Sequence, residues 1–242
     1  MADWFENWFD TAYYHQLYAN RNLLEAAEFV DRLLRYLQLP LASKVLDIGC
    51  GKGRHATQMA ALGYPTWGID LSACSIQEAK KMEHENLHFE VWDMRKTYRQ
   101  NHFQLVVNLF SSFGYFEGTG NQEALHAMVG NLDNKGIFVM DYLNPEWVIK
   151  TMKPKEIIDR GNIQYHISKE ISNGQIIKNI SFLDGGQHFE FEERVRLITP
   201  TELNHMFQVA GLASMHHFGD YQLSPFQRAE SPRQIIIAQK IA

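Results

Sequence analysis

Cysteine and excess basic charge are both scarce in this chain, which has Cys50 and Cys74 as its two cysteines among 242 residues. Two cysteines cannot form a disulfide framework or a cysteine-based zinc site, and they suit a reducing compartment. The 23 Lys and Arg residues are outnumbered by 28 Asp and Glu residues, for a formal net charge of −5. This balance argues against sequence-independent binding of nucleic acid, which requires a basic face.

Long hydrophobic runs are also missing. The longest uncharged apolar stretch, around 103–116, is interrupted by Asn108, Ser111 and Ser112, whereas a bilayer span needs about 20 apolar residues. The N-terminus is acidic and aromatic, unlike a secretory signal. No His-Glu-x-x-His motif occurs, and no metal site is predicted. We expect a soluble, cytoplasmic protein without a membrane partner.

Strand-like runs alternate with helical patterns over most of the chain. Short apolar runs typical of buried strands occupy 44–48, 66–70, 87–93, 103–110 and 137–143. Two further strands are predicted at 213–218 and 234–240, after a helix that begins near Thr199. Alternation of this kind predicts an α/β fold with a doubly wound, mostly parallel sheet of seven strands.

Residues 157–198 break this pattern. Ile163, Tyr165 and Ile167 share one parity, as on one face of a strand, and Asn173-Gly174 is a hairpin signal. We predict an inserted antiparallel β meander of three strands on the substrate side. The predicted organisation is an N-terminal helical cover (1–43), a core (44–156 and 199–242) and the insertion (157–198).

A glycine-rich turn follows the first predicted strand, in Val45-Leu-Asp-Ile-Gly-Cys-Gly-Lys-Gly-Arg54. It is not a P-loop, because Lys52 is followed by Gly53 rather than Ser or Thr. It also fails the dinucleotide fingerprint, because Arg54 stands where the third glycine is needed. The remaining pattern places Asp47 two residues before the first glycine. A carboxylate there would repel a pyrophosphate and attract a sulfonium or an ammonium group.

This pattern resembles motif I of the class I S-adenosylmethionine-dependent methyltransferases. Asp70 and Asp93, at the ends of the second and third predicted strands, stand where that family has acidic residues. The resemblance is strong over 44–143, weaker after 199 and only suggestive for 1–43. It implies a Rossmann-like methyltransferase fold, S-adenosyl-L-methionine as cofactor and S-adenosyl-L-homocysteine as product.

The resemblance also implies roles for individual residues. The methionine part of the cofactor would contact Gly49, Cys50 and Gly51, with Asp47 beneath them, and Arg21 would pair with the cofactor carboxylate. Asp70 would accept hydrogen bonds from the ribose hydroxyls. The remaining cofactor contacts would come from Leu71, Asp93 and Met94 around the adenine, and from Asn108 and Leu109 after the fourth strand.

The sequence limits the class of methyl acceptor mainly through the motifs that it lacks. No Asn/Asp-Pro-Pro-Tyr/Phe motif follows the fourth predicted strand, and there is no pair of catalytic cysteines for methylation of a ring carbon. We therefore expect in-line transfer to a nucleophilic N, O or S atom of a small molecule, with Tyr115, Tyr142 and Arg194 as candidate catalytic residues. A regulatory protein that binds the cofactor without turnover and an RNA methyltransferase are the alternatives. The acceptor, the need for a general base and the oligomeric state stay open.

Overall fold

The computed structural model describes residues 4–19 and 23–241. Their strands, in chain order, are β1 Val45–Ile48, β2 Thr66–Asp70, β3 Leu87–Val91, β4 Phe103–Asn108, β5 Leu132–Leu143, β6 Lys155–Arg160, β7 Ile163–Ser172, β8 Gln175–Asp184, β9 Gln187–Arg196, β10 Leu212–Phe218 and β11 Arg233–Lys240. Their helices are α1 Trp4–Phe9, α2 Ala12–Leu17, α3 Leu23–Leu37, α4 Arg54–Ala61, α5 Ala73–Ala79, α6 Gly120–Gly130, α7 Pro145–Thr151 and α8 Pro200–Val209, with a short 3-10 turn at Lys80–Met82. In this part of the chain, no helix is long and apolar enough to cross a membrane.

The larger sheet has seven strands in the order β10-β11-β5-β4-β1-β2-β3. The strands β1 to β5 run parallel, and β11 is antiparallel to both of its neighbours. The predicted doubly wound, mostly parallel seven-stranded sheet is confirmed. Strand order reverses between β1 and β4, and ligands of open α/β sheets bind at such a switch point, beyond the carboxyl ends of the strands.

The core lies on both faces of this sheet because its central strands are apolar on both sides. All residues of β1 are buried, and in β4 the run Leu105–Val107 is fully buried. The helix α3 covers one face with Phe29, Val30 and Leu33, which are spaced for a single helical face. The helix α8 covers the other face with Leu203 and Phe207.

The predicted start of α8 is confirmed in detail. Thr199 caps the helix, Pro200 occupies its first turn, and Glu202 completes a capping box by accepting a hydrogen bond from the Thr199 backbone. This arrangement satisfies backbone N–H groups that the first helical turn would otherwise leave without partners.

The insertion is an antiparallel sheet of four strands in the order β6-β7-β8-β9. A meander is confirmed, and the predicted hairpin at Asn173-Gly174 joins β7 to β8. The prediction of three strands is wrong, because Lys155–Arg160 forms an additional edge strand. Its sequence, Lys-Glu-Ile-Ile-Asp-Arg, carries four charges and lacks the apolar alternation that marks a half-buried strand.

The aromatic N-terminus packs on this inserted sheet. Trp8 and Leu17 are buried against Tyr165, Ile180 and neighbouring apolar residues. The helices α1 and α2 thus place the N-terminal segment next to the insertion. Residues of this segment also line a cavity at the carboxyl ends of β1, β2 and β4, which is described below.

Candidate active site

The glycine-rich turn joins β1 to α4 in a left-handed backbone. Gly49 and Gly53 have φ angles of 73° and 81°, which residues with a Cβ rarely adopt. A Cβ at Gly49 would also lie 2.7 Å from the Cβ of Ser112, whereas one at Gly51 would meet nothing within 4 Å. The turn is therefore packed against the chain at Gly49 and open at Gly51.

A cavity of about 750 Å³ lies over this turn; we call it the carboxyl-end cavity. Its walls come from the glycine turn, from the residues that follow β2, β3 and β4, and from the N-terminal segment. Its lining includes Phe5, Phe9, Tyr14, His15, Tyr18, Leu24, Gly49, Cys50, Gly51, Arg54, Asp70, Leu71, Trp92, Asp93, Met94, Leu109, Phe110, Ser112, Tyr115 and Phe116.

Asp70 is the carboxylate that organises the turn. Its Oδ2 accepts a hydrogen bond from the Gly51 backbone N–H at 2.8 Å, and its Oδ1 accepts one from the Ser72 backbone N–H at 2.9 Å. The side chain also lines the cavity. The two oxygens of a carboxylate have about four lone-pair sites between them, so a carboxylate can accept hydrogen bonds from a vicinal diol.

Asp93 lies at the same edge of the sheet, where its carboxylate is hydrogen-bonded to Arg95. Arg95 donates to it from its backbone N–H, Nε and Nη2, at 2.7 to 3.0 Å. Partial burial raises the pKa of Asp93, yet the hydrogen bonds from Arg95 outweigh this and hold the pKa below its usual value. Asp93 is therefore a fixed anion at the cavity wall.

Asp47, on β1 two residues before Gly49, is 1% exposed and is not among the described residues that line the cavity. Its Oδ2 accepts no hydrogen bond from any residue that the structure describes. Burial first, and then the charge of Asp70, raise the pKa of Asp47 to about 7, while Arg54 and a hydrogen bond from the Ala56 backbone oppose the rise. A buried carboxylate with a free oxygen and a raised pKa is suited to a cationic ligand above it.

Most of the predicted cofactor residues come together at the cavity. Its lining contains Gly49, Cys50, Gly51, Asp70, Leu71, Asp93, Met94 and Leu109. Asn108 lies behind the wall instead, where its Nδ2 donates to the carbonyls of Ile48 and Ser112 at 2.9 and 3.0 Å. Arg21 lies outside the described residues.

The three candidate catalytic residues are separated. Tyr115 lines the cavity, and its hydroxyl donates to the Ser111 carbonyl at 3.0 Å. Tyr142 is fully buried and donates to the Arg196 carbonyl, so the structure does not bring it to the cavity. Arg194 pairs with Glu192 on β9 and is not among the described lining residues. Their catalytic roles stay predictions.

Sequence reasoning missed part of the wall. Phe9 and Phe110 line the cavity, and the Arg54 guanidinium lies 4.3 Å from the centre of the Phe110 ring. The density of aromatic residues between Trp4 and Tyr18 was the available signal for the N-terminal wall. Nothing in the local sequence marked Arg54, because its contact is with a distant loop.

A second cavity of about 1080 Å³ lies on the inserted sheet and is lined by residues such as Lys155, His166, Ser181 and Glu190. It contains neither the glycine turn nor the carboxylates at the ends of β2 and β3. We therefore take the smaller, carboxyl-end cavity as the site of chemistry.

Comparison with known proteins finds a methyltransferase domain in this chain. Residues 45–136 match the family described as "Methyltransferase domain". The chain is similar to the dTDP-3-amino-3,4,6-trideoxy-alpha-D-glucopyranose N,N-dimethyltransferase of Streptomyces venezuelae. The two are 28% identical over 201 residues, which cover 78% of this chain and 82% of that one.

Two solved structures show the same fold. A S-adenosylmethionine-dependent methyltransferase from Clostridium acetobutylicum superposes with a TM-score of 0.79 at 17% identity, over 95% of this chain and 96% of that one. CalS10, an amino pentose methyltransferase from Micromonospora echinaspora solved with bound S-adenosylmethionine, gives 0.66 at 19% identity, over 95% of each chain.

The domain match, the fold and the strand-end site define an S-adenosylmethionine-dependent methyltransferase. Residues 45–136 carry the match to the methyltransferase domain. Its residues fit the cofactor, because the Asp70 carboxylate lines the cavity beside the glycine turn and can accept hydrogen bonds from hydroxyl groups. The buried Oδ2 of Asp47, just before the turn, accepts no hydrogen bond from the described residues. The match to a methyltransferase domain and the relatives named as small-molecule methyltransferases support an enzyme over the two alternatives, a binding protein without turnover and an RNA methyltransferase.

Proposed function

We propose that this enzyme methylates an amine of a small molecule in the carboxyl-end cavity. The observation that carries the proposal is the cavity itself. Its volume of about 750 Å³ is typical of sites for small ligands, and the N-terminal segment forms one of its walls. A cavity with such a wall favours an acceptor that enters whole over one that is part of a large polymer.

The choice of an amine rests on two relatives and on the aromatic wall. The relatives are named N,N-dimethyltransferases of amino sugars, one from Streptomyces venezuelae and one from Streptomyces fradiae. Phe9 lies 5.0 Å from Tyr14 and 5.4 Å from Tyr115 between ring centres, and all three line the cavity. Aromatic faces stabilise nearby cations, and an amine gains positive charge as it is methylated.

When bound, the cofactor would supply an activated methyl group for in-line transfer to the acceptor nitrogen. The nitrogen lone pair would form the new bond, and the leaving sulfur would keep the electrons of the old one. The residues of this chain contribute by binding and orientation. Asp70 and the glycine turn hold the donor side, and the aromatic wall holds the acceptor side and excludes water, so that positioning supplies much of the rate.

Turnover with a panel of acceptors tests this proposal. The purified protein is incubated with S-adenosylmethionine and amino sugars, free and nucleotide-linked, or with the matched sugars that carry hydroxyl groups instead. We expect S-adenosylhomocysteine to form with at least one amino sugar, at about 100 times the rate with its hydroxyl analogue or more. A neutral amine attacks with its lone pair, whereas a hydroxyl needs a general base to take its proton, a contribution of about 10²–10⁴ in rate.

Two results of the same assay would contradict the proposed function. Methylation of bulk RNA in a salt-sensitive reaction, with no turnover of small amines, would overturn the proposal. Faster methylation of the hydroxyl sugars than of their amino counterparts would overturn the choice of an amine.

A further inference from the structure

The loop after β4 makes an uncommon turn at one wall of the carboxyl-end cavity. Phe110 and Ser111 have φ angles of 60° and 59°, in the left-handed region that residues other than glycine rarely adopt. Phe110 and Ser112 line the cavity, and the Ser112 hydroxyl donates to the Gly49 carbonyl at 3.3 Å. Two such residues in succession persist only where the surrounding structure holds them.

Asp141, a buried residue of β5, accepts hydrogen bonds from the backbones of both Phe110 and Ser111. The Oδ2 of Asp141 accepts a hydrogen bond from the Phe110 backbone N–H at 2.8 Å. The carbonyl of Asp141 accepts one from the Ser111 backbone N–H at 2.9 Å. Asp141 is 1% exposed, so these bonds are shielded from competing water.

Tyr221 and Arg233, nearer the C-terminus, also bond to Asp141, and the three side chains form a hydrogen-bonded cluster. Arg233 donates from Nε to Asp141 Oδ1 at 2.7 Å and from Nη2 to the Ser111 hydroxyl at 2.9 Å. Tyr221 donates its hydroxyl to Asp141 Oδ2 at 3.0 Å. Burial, and then the charge of Asp141, raise the pKa of Tyr221, which keeps its hydroxyl protonated as a donor.

The sheet does not need this cluster for its own pairing. The strands β5 and β11 form a continuous antiparallel ladder from Leu143 opposite Arg233 to Ile137 opposite Gln239. The side chain of Arg233 instead bridges Asp141 to the loop. The cluster therefore stabilises the loop conformation more than the strand pairing.

We propose that Asp141, Tyr221 and Arg233 are positioning residues for cofactor binding, which fix Phe110 and Ser112 at the wall of the carboxyl-end cavity. None of the three is among the described residues that line this cavity, so they act through the loop. All three also lie outside the matched segment 45–136. The inference goes beyond the proposed amine acceptor and does not depend on it.

Titration calorimetry with S-adenosylhomocysteine tests the proposal. Tyr221→Phe removes one hydrogen bond to a charged group, and we expect the dissociation constant to rise about three- to tenfold. Arg233→Met should raise it further, and Arg233→Lys, which keeps the charge, should recover part of the loss. Each variant's melting temperature is measured alongside.

Tyr64→Phe is the matched control. Tyr64 is 6% exposed, and its hydroxyl donates to the Leu39 carbonyl at 3.1 Å, away from the cavity lining. The proposal requires that Tyr64→Phe lower the melting temperature about as Tyr221→Phe does without weakening binding of S-adenosylhomocysteine.

Two results would overturn the proposal. One is wild-type affinity in both Tyr221→Phe and Arg233→Met. The other is an equal loss of affinity in Tyr64→Phe and Tyr221→Phe, which would make the effect one of general stability. Tyr221→Phe keeps the shape of the side chain, so the test stands even where Arg233→Met does not fold. The titration needs no acceptor, so its outcome is separate from that of the amine panel.

Discussion

Replacing Asp70 with alanine is expected to weaken binding of S-adenosylmethionine at least about 100-fold, because charge-assisted hydrogen bonds contribute about 1.5–3 kcal/mol each. The variant would lack the carboxylate that is predicted to accept hydrogen bonds from the ribose hydroxyls. It would also lose the bonds that this carboxylate accepts from the backbone N–H groups of Gly51 and Ser72. Isothermal titration of S-adenosylmethionine and S-adenosylhomocysteine measures the change.

Asp159→Ala is the control for this prediction. Asp159 is an exposed aspartate on β6, at the edge of the inserted sheet, and does not line the carboxyl-end cavity. Its replacement should leave the affinity unchanged. Unaltered binding by the Asp70→Ala protein, with a normal melting temperature, would show that the cofactor does not use this carboxylate.

Replacing Asp47 with asparagine is expected to stabilise the free protein while weakening its affinity for the cofactor. The folded protein holds the Asp47 proton up to about pH 7, whereas an unfolded chain releases it near the usual value of 3.8. Between these values the folded state binds more protons, so the contribution of Asp47 to stability falls as pH rises and is constant above about pH 7. The neutral amide avoids this loss, which amounts to about 2–4 kcal/mol at pH 8.

Urea denaturation of the wild-type protein and of Asp47→Asn from pH 4 to pH 8 tests whether the variant becomes the more stable protein as pH rises. The difference in the free energy of unfolding should be near zero at pH 4 and should grow in favour of Asp47→Asn up to about pH 7. Asp159→Asn, at an exposed position, should show no such trend. An Asp47→Asn protein that is less stable than wild type at pH 8 would contradict the raised pKa.

The affinity for the cofactor should change with pH for the same reason. A cation bound above Asp47 favours the ionised carboxylate, so binding of S-adenosylmethionine should release protons below about pH 7. The release appears as a dependence of the calorimetric heat on the ionisation enthalpy of the buffer. In Asp47→Asn this contribution should vanish and the affinity should be lower at pH 8.

The cofactor half could be predicted because its signals are local in sequence. The glycine turn and the carboxylates Asp70 and Asp93 directly follow strands, and the ends of parallel strands meet at one edge of a sheet. The acceptor side could not be predicted in the same way. Which N-terminal aromatic residues reach the cavity depends on how α1 and α2 pack on the inserted sheet, a contact between distant parts of the chain.

Two residues that the sequence singled out do not line the carboxyl-end cavity, and their roles stay predictions. Tyr142 belongs to the last residues of β5, where it points into the core and bonds to the Arg196 carbonyl. Asn108 ends β4 and bonds to backbone carbonyls behind the cavity wall. A position near the end of a strand can be read from sequence, but the side to which its side chain points depends on the strand's exact register.

A crystal structure with bound S-adenosylhomocysteine would test the placement of the cofactor over the glycine turn. This placement predicts electron density in the carboxyl-end cavity, with the ribose hydroxyls within hydrogen-bond distance of Asp70 and the amino-acid part over Gly49–Gly51. Density in the cavity on the inserted sheet, beside Lys155 and His166, with none over the glycine turn, would contradict it.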